Sequence, residues 1–248
     1  MIKLKSAREI GIMRDAGRIV AECHAALVEH VQPGVSTIEL DRLVEGWIRQ
    51  KGAIPSFKGH NDFPGSICVA INDVICHGIP GKERLKNGDV VTIDIGAYYK
   101  GYHGDSAWTY TVGEVSPAVR GLMETTLECL RAGIAQAVAG HRVGDIGHAI
   151  QSLAEGRGYG VVRQFTGHGV GQDLWEPPTI PHYGRPGMGT VLRNGVVIAI
   201  EPMITLGDWR AVVDDDEWTA RTVDGSLCVQ YEHTIAITED GPVVLTEL

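Results

Sequence analysis

Acidic side chains interrupt four segments of this sequence that otherwise read as β-strands. Asp94 lies within Val-Val-Thr-Ile-Asp-Ile-Gly, Glu201 ends Val-Val-Ile-Ala-Ile-Glu, and Asp105 and Glu232 lie at the margins of two further strands. A buried carboxylate is costly unless it is paired or bound to a metal. Because few Lys or Arg residues lie in these segments, a divalent cation would offset the charges better. Taken alone, Asp94 also fits a strand-end residue that is hydrogen-bonded to a turn.

A single histidine is enclosed by glycines in Thr166-Gly-His-Gly-Val-Gly171. His168 fits a structural hydrogen-bonding residue or, since the glycines clear space around its ring, a metal ligand. Carboxylates and one imidazole are ligands that suit Mn²⁺, Fe²⁺ or Co²⁺, and they are less typical of a zinc site with thiolate ligands. Four carboxylates exceed the need of one dication, and they predict two ions roughly 3.5–4 Å apart with a bridging hydroxide that attacks an amide or ester.

Another histidine, His77, lies in Val74-Ile-Cys-His-Gly-Ile-Pro80 between two predicted strands, with no acid beside it. It fits a hydrogen-bond donor to substrate better than a metal ligand, and it also fits an ordinary surface-loop histidine. Competing mechanisms lack their signatures, because the sequence contains no GxSxG elbow, no P-loop and no GxGxxG after a strand.

The chain contains an internal repeat that bears on the same acids. Leu85–Asp94 aligns with Leu192–Glu201: each segment has Leu, a cation, Asn-Gly, and then an apolar strand that ends in a carboxylate. Asn-Gly is a strong turn signal. A single such match arises by chance fairly easily, but the repeat favours two diverged copies of one unit with a site at the pseudo-twofold axis between them.

The remaining pattern predicts the elements that position these residues. Capping signals at Ser6, Ser36, Ser116-Pro117 and Asp145 predict four helices. β-rich segments bounded by Gly, Asn and Asp predict strands at 67–71, 90–98, 107–112, 196–204, 218–223, 226–231 and 234–238. No linker or low-complexity segment divides the chain, so we expect one α/β or α+β domain over residues 1–248.

Composition limits the possible partners and the compartment. The net charge of −9 argues against a nucleic-acid or anionic-membrane surface. Five cysteines without CxxC spacing favour reduced thiols in the cytoplasm. No signal peptide and no apolar run of roughly 18 residues is present, so we expect a soluble protein with no membrane association.

Six segments together resemble the type I methionine aminopeptidases, over essentially the whole chain and in the right order. The matching segments are Cys76–Pro80, Asp94 in Ile-Asp-Ile-Gly, His103–Ser106, Thr166–Gly171, Ile200–Met203 and Gln230–Thr234. The resemblance implies an α+β pita-bread fold, with two pseudo-symmetric α/β halves around a di-metal site. It also implies removal of the initiator methionine from nascent proteins whose second residue is small.

The resemblance assigns a role to each candidate residue. It implies that Asp94 chelates one metal, that His168 and Glu201 hold the other, and that Asp105 and Glu232 bridge both. Glu201 would also transfer protons, and His77 would contact the substrate. The cofactors would be two divalent ions (Co, Mn, Fe or Zn).

The methionine pocket and a second ion site also carry over from the resemblance. The pocket would be lined by apolar, aromatic and thiol groups, which suit a thioether; these residues also fit plain core positions. They are Phe57, His60, Phe63, Cys68 and Trp218. A monovalent cation (Na or K) would lie near the carbonyls of Asn72, Val74 and Cys228. We expect a monomer that acts on nascent chains near the ribosome exit.

One position departs from the family pattern. A second histidine is expected seven residues after His168, and Trp175 stands there instead. A peptidase that cleaves before proline is the nearest alternative, although only 76 residues precede His77 here. A catalytically inactive pita-bread binding protein is another alternative, which Trp175 favours and the complete ligand set opposes.

Overall fold

The computed structural model describes residues 2–248, which form four α-helices and fifteen strands. The α-helices are α1 (Ala7–Leu27), α2 (Thr37–Gln50), α3 (Pro117–Ala135) and α4 (Val143–Gly156), and a 3₁₀ helix spans His60–Asp62. The strands are β1 (Ile54–Pro55), β2 (Ile67–Ile71), β3 (Val74–Cys76), β4 (Val90–Tyr99), β5 (Tyr102–Thr111), β6 (Gly160–Val161), β7 (Gly167–Gly169), β8 (Glu176–Ile180), β9 (Val197–Ile200), β10 (Met203–Thr205), β11 (Ala211–Val213), β12 (Ala220–Thr222), β13 (Cys228–Gln230), β14 (His233–Thr238) and β15 (Gly241–Val244). Within this part of the chain, no helix combines the length and apolarity that a membrane span requires.

Helices α1, α2 and α3 begin where their capping signals predicted. Helix α4 begins at Val143, two residues before the predicted start, because Asp145 lies in the first turn and accepts from the N–H of Arg142 at 2.7 Å. The backbone N–H of Ser6 donates to the Glu9 carboxylate at 2.7 Å, and that of Ser36 donates to Glu39 at the same distance. The hydroxyl of Ser116 accepts a hydrogen bond from the N–H of Val119 at 3.3 Å. These side chains satisfy backbone groups that a helix end leaves without partners.

The two copies of the internal repeat occupy corresponding places in two units of the chain. In the first unit α1 and α2 precede β4, and in the second α3 and α4 precede β9. The N–H of Gly34 donates to the carbonyl of Leu85 at 2.7 Å, and that of Gly140 donates to Leu192 at 3.0 Å. Each unit therefore ties its helix–helix connection to the start of its repeated segment in the same way.

Each unit packs its helices against its own sheet. Strand β4 lies between β5 on one side and β1 and β2 on the other, and the second unit contains a sheet in the order β15-β14-β9-β7-β8. Residues of α1 and α2 bury an apolar cluster against β2 and β4, and residues of α3 and α4 do the same against β9, β10 and β14. The acidic residues lie where the two units meet.

The predicted strand over 196–204 is wrong in one respect, because it is two strands. β9 ends at Ile200 and pairs with β14 and β7, whereas β10 begins at Met203 and pairs with β13 and β6. Pro202 has no N–H to donate to a ladder, so the sheet pairing stops there. The break leaves Glu201 at the junction of two sheets.

Candidate metal centre

The five predicted ligands line one cavity, and both structural units contribute to it. Asp94 and Asp105 lie on the paired strands β4 and β5, opposite Ala107 and Gly96 respectively. Glu201 follows β9, Glu232 precedes β14, and His168 is the middle residue of β7. Side chains alternate between the two faces of a strand, and the ladder therefore presents these acids on the face opposite the helices.

The ring of His168 is oriented to accept a ligand at one nitrogen. Its Nδ1 lies 2.9 Å from the carbonyl of Gly169, which fixes the proton on Nδ1 and leaves a lone pair on Nε2. Nε2 lies 3.6 Å from Asp105 Oδ2 and 3.7 Å from Glu201 Oε1, too far for a hydrogen bond and suited to an ion between them. Ligand atoms of Asp105, His168 and Glu232 all lie within 4.8 Å of one another.

Close strand packing explains the glycines beside this histidine. A Cβ on Gly167 would lie 2.3 Å from the carbonyl oxygen of Ala199 on β9. A Cβ on Gly169 would lie 2.4 Å from that of Pro177 on β8. The glycines therefore hold β7 tightly between two neighbouring strands, and this packing fixes the position of His168.

Three buried carboxylate oxygens of the site have no hydrogen-bond partner among the described residues. They belong to Asp94 (Oδ1), Asp105 (Oδ1) and Glu232 (Oε1). Buried acceptors in folded proteins are otherwise almost always satisfied. Lys and Arg are absent from the residues that line the cavity. Divalent cations fit this donor set, since they would satisfy the oxygens and offset the charge.

The electrostatics of the site favour added positive charge. Burial, followed by the nearby carboxylates, raises the pKa of Asp94, Glu201 and Glu232 well above their ordinary values. Burial raises the pKa of Asp105 to about 7 and lowers that of His168 to about 4. Burial therefore favours the neutral forms of both the acids and the imidazole.

Two residues hold Glu201 in place, and the sequence patterns predicted neither contact. The side-chain amide of Gln230 donates to Glu201 Oε2 at 3.0 Å. The backbone N–H of Glu201 donates to His182 Nε2 at 3.1 Å. These contacts leave Glu201 Oε1 facing His168. Gln230 lies on β13 and His182 follows β8, both distant from Glu201 in sequence. The only sequence signal for either contact is a polar residue at the end of an apolar strand.

An apolar pocket adjoins the acids. The cavity has a volume of about 280 Å³. It is lined by Phe57, His60, Phe63, Cys68, Cys76, His77, Asp94, Asp105, Gln164, Phe165, Thr166, His168, Trp175, Glu201, Trp218 and Glu232. All the predicted pocket residues are in this list, and Leu174, which was not predicted, packs with Phe57, Phe63 and Cys68. Burial raises the pKa of the Cys68 and Cys76 thiols, so both stay neutral.

His77 and Trp175 line the cavity from two different loops. His77 follows β3 with a left-handed backbone (φ +56°), and burial lowers its pKa, which keeps the ring neutral. Residue Trp175 is 44% exposed, and its ring centroid lies 4.7 Å from that of His60, 6.5 Å from that of His77 and 6.3 Å from that of His168. Trp175 therefore forms the mouth of the cavity.

The predicted monovalent-cation residues lie together at one junction. The carbonyl of Asn72, whose φ is +56°, accepts a hydrogen bond from the N–H of Cys228 at 2.9 Å. Val74 begins β3, two residues along the chain. An ion bound there would use carbonyl oxygens of a strained connection.

Known proteins match this chain along its whole length. The model of metallopeptidase family M24 matches residues 11–239. Methionine aminopeptidase 1 of Bacillus subtilis is 54% identical over 248 residues, which cover 100% of both chains. The crystal structure of methionine aminopeptidase from Thermotoga maritima superposes with a TM-score of 0.98 at 44% identity and covers 100% of both chains.

A proline-directed relative matches less completely. Xaa-Pro dipeptidase of Bacillus anthracis superposes with a TM-score of 0.80 at 28% identity, covering 99% of this chain and 62% of its own. The shared architecture confirms the predicted α+β pita-bread fold, while the higher identity and full mutual coverage favour the first group. The chain belongs to metallopeptidase family M24 and, within it, to the methionine aminopeptidases.

Proposed function

We propose that this protein is a metal-dependent aminopeptidase that removes the N-terminal initiator methionine from nascent proteins when the second residue is small. One juxtaposition supports the proposal best. Buried, unsatisfied carboxylate oxygens lie beside a pocket of aromatic and thiol side chains. That combination suits a hydrolytic metal site that accepts one unbranched apolar side chain.

The four carboxylates and one imidazole would hold two divalent ions, as the sequence resemblance assigns them. Asp94 would bind one ion, His168 and Glu201 the other, and Asp105 and Glu232 would bridge both. When bound, the ions would activate a water molecule and polarise the scissile carbonyl. Co, Mn, Fe and Zn ions share these ligands, and a monovalent Na or K ion would bind near Asn72.

The protein's own groups would bind the substrate and move protons. Glu201, whose carboxylate is oriented by Gln230, would take a proton from the attacking water and pass it to the departing amine. His77 is a neutral ring at the cavity wall, and it would donate a hydrogen bond to the substrate. The methionine side chain would enter between Phe57, Phe63 and Trp218, with Cys68 and His60 completing the wall.

Two peptides and one metal analysis test this function against its alternatives. Purified protein should cleave Met-Ala-Ser and leave Ala-Pro peptides intact, with about two divalent ions bound per chain. Cleavage of Ala-Pro would favour the proline-directed class. A metal-free protein that cleaves neither peptide after metal addition would favour an inactive binding protein.

A second assay tests the pocket and the free amino group. The value of kcat/KM should fall steeply from Met-Ala to Met-Leu peptides, and formyl-Met peptides should be inert because the site requires a free α-amino group. Equal cleavage of Leu- and Met-initiated peptides would contradict the pocket assignment.

We further propose a setting for the activity. Residues 1–248 would form one catalytic domain that works as a monomer in the cytoplasm, near the ribosome exit. The unbroken succession of elements supports a single domain, and five free cysteines suit a reducing cytoplasm. Sedimentation of the purified protein and of ribosome–protein mixtures would test it.

A further inference from the structure

The segment Ile2–Ser6 lies across the Asn-Gly turn of the second unit. The N–H of Lys5 donates to the carbonyl of Gly195 at 2.7 Å, and a Cβ on Gly195 would lie 2.7 Å from the Lys5 carbonyl oxygen. At the equivalent Gly88 of the first unit, the nearest atom to such a Cβ is a Glu114 oxygen at 3.9 Å. The segment therefore makes a contact that breaks the pseudo-twofold symmetry of the chain.

The side chain of Lys5 enters the protein and ends on Glu176. Its Nζ lies 2.7 Å from Glu176 Oε2, and the two side chains are only 5% and 3% exposed. Breaking a buried pair by removing one partner leaves an uncompensated buried charge, which is strongly destabilising. The nearby Lys3 is largely exposed, and its Nζ lies 3.6 Å from the other carboxylate oxygen and 3.3 Å from Asp173 Oδ2. Solvent-exposed ion pairs of this kind contribute little to stability. Lys5 is thus the buried partner of this acid.

The loop that precedes β8 is built around the same carboxylate. The backbone N–H groups of Gln172 and Asp173 donate to Glu176 Oε1 at 3.1 and 3.4 Å. A Cβ on Gly171 would lie 2.3 Å from that oxygen, so only glycine allows the approach. The conformation of residues 171–175 therefore depends on where Glu176 is held.

Trp175 lies between two buried neighbours. On one side Leu174 is 2% exposed and packs into the methionine pocket with Phe63 and Cys68. On the other side is Glu176. The exposed indole ring at the cavity mouth is therefore positioned by its backbone, since both flanking side chains are fixed. The second residue of a bound substrate would lie at this mouth, because the methionine side chain would occupy the pocket.

We propose that Lys5 and Glu176 are positioning residues that set Trp175 at the mouth of the site and thereby restrict the size of the second substrate residue. This inference rests on the proposed function, because it concerns the same cavity. Neither side chain touches the substrate. Loss of the pair would let the 171–175 loop and its indole move outward, which would relax discrimination against larger second residues.

The test compares two lysines that lie two positions apart. Lys5→Met removes the buried charge, Lys3→Met removes the exposed one, and Lys5→Arg keeps the pair. Because a lone buried carboxylate can prevent folding, the double variant Lys5→Met/Glu176→Met removes both charges together. Each protein is assayed with Mn²⁺ on Met-Gly and Met-Val peptides. The metal-free form of each protein is examined by acrylamide quenching of tryptophan fluorescence, with a Trp175→Phe counterpart subtracted.

We expect Lys5→Met and the double variant to lower the ratio of kcat/KM for Met-Gly over Met-Val by at least about threefold. Quenching of Trp175 should increase in the same two proteins, whereas Lys3→Met and Lys5→Arg should resemble the parent. Simple destabilisation would reduce both kcat/KM values together, since it changes only the folded fraction, and the ratio would stay constant.

Unchanged ratios and unchanged quenching in the folded double variant would overturn the positioning role. A parent protein that fails to cleave Met-Gly would instead contradict the proposed function. In that case the quenching comparison, which needs neither metal nor substrate, still decides whether the ion pair positions Trp175.

Discussion

The Glu232 carboxylate shares the centre of the site with Asp105 and His168, and one of its buried oxygens has no protein partner among the described residues. Glu232→Ala should lower kcat by more than about 10³-fold, the upper figure for loss of a single transition-state contact, because metal pairing is lost as well. Turnover of Met-Ala-Ser and metal content by elemental analysis measure the effect.

The matched control is Glu239→Ala, which removes an exposed acid at the far end of β14. It should keep both turnover and metal content. Near-normal turnover by the Glu232→Ala protein would exclude a mechanism that depends on two bridged ions.

Trp175 occupies the position where the family pattern has histidine, and the structure places its ring at the cavity mouth, 4.7 Å from the ring centre of His60. An indole N–H can donate a hydrogen bond but cannot accept one or take up a proton. Loss of one transition-state donor costs about 10²–10³ in kcat. Trp175→His should therefore raise kcat/KM on Met-Ala-Ser at least about tenfold.

Trp209→His is the control for a tryptophan-to-histidine change elsewhere, because Trp209 lies against Arg163 outside the cavity. It should leave kcat/KM unchanged. If Trp175→His and Trp175→Ala both match the parent, the side chain at this position has no part in catalysis.

At the scale of elements, the close packing of β7 against its neighbouring strands controls the position of His168. Gly169→Ala would place a Cβ 2.4 Å from the Pro177 oxygen, so β7 and β8 must separate. Overpacking of this kind costs about 1–3 kcal/mol of unfolding free energy. Metal affinity should fall as well, since the imidazole moves with its strand. Urea denaturation and metal titration measure the two effects.

A helical glycine provides the comparison for that substitution. A Cβ on Gly11 in α1 meets no atom within 4 Å, and alanine there should stabilise the protein by about 0.5–1 kcal/mol, as expected in a helix interior. Equal metal affinity in the Gly169→Ala and parent proteins would show that β7 packing does not position the ligand.

Local signals predicted most of these elements, because caps and turns depend on neighbouring residues. The Ser6–Glu9 box and the two Asn-Gly turns are sequence-local, and the structure confirms them. The strand break at Glu201 was missed because its apolar pattern continues beyond Pro202 into β10. The contacts of Gln230 and Lys5 join residues 29 and 171 positions apart, and periodicity contains no information on such pairs.

At the scale of the whole molecule, the two units are joined at the site itself. The hydroxyl of Ser106 donates to the Glu232 carbonyl at 2.6 Å, and that of Thr234 donates to the Asp105 carbonyl at 2.7 Å. Asp94 and Asp105 come from the first unit, and the other three candidate ligands come from the second. A bound metal would therefore stabilise the folded state as a whole, because the unfolded chain does not assemble the site.

This coupling predicts how metal stabilisation varies with pH. In the folded, metal-free protein, burial raises the pKa of Asp105 from 3.8 to about 7, and the pKa values of Asp94, Glu201 and Glu232 are raised too. Groups with raised folded pKa values stabilise the protein at low pH, and that contribution is lost as pH rises towards their folded values. Metal binding needs the same carboxylates deprotonated, so its affinity rises over the same range.

The difference between the melting temperatures of the metal-loaded and metal-free proteins should therefore increase from about pH 5 to about pH 7.5. Buried His24 and His182, whose pKa values are lowered to about 3, have the opposite pH dependence but contribute to both forms, so they cancel in the difference. Calorimetry with Mn²⁺ and with a chelator measures both temperatures. The Glu232→Ala protein should show a smaller and flatter difference, because it lacks a bridging carboxylate. A parent difference that stays constant across this range would mean that metal binding does not displace protons from these acids.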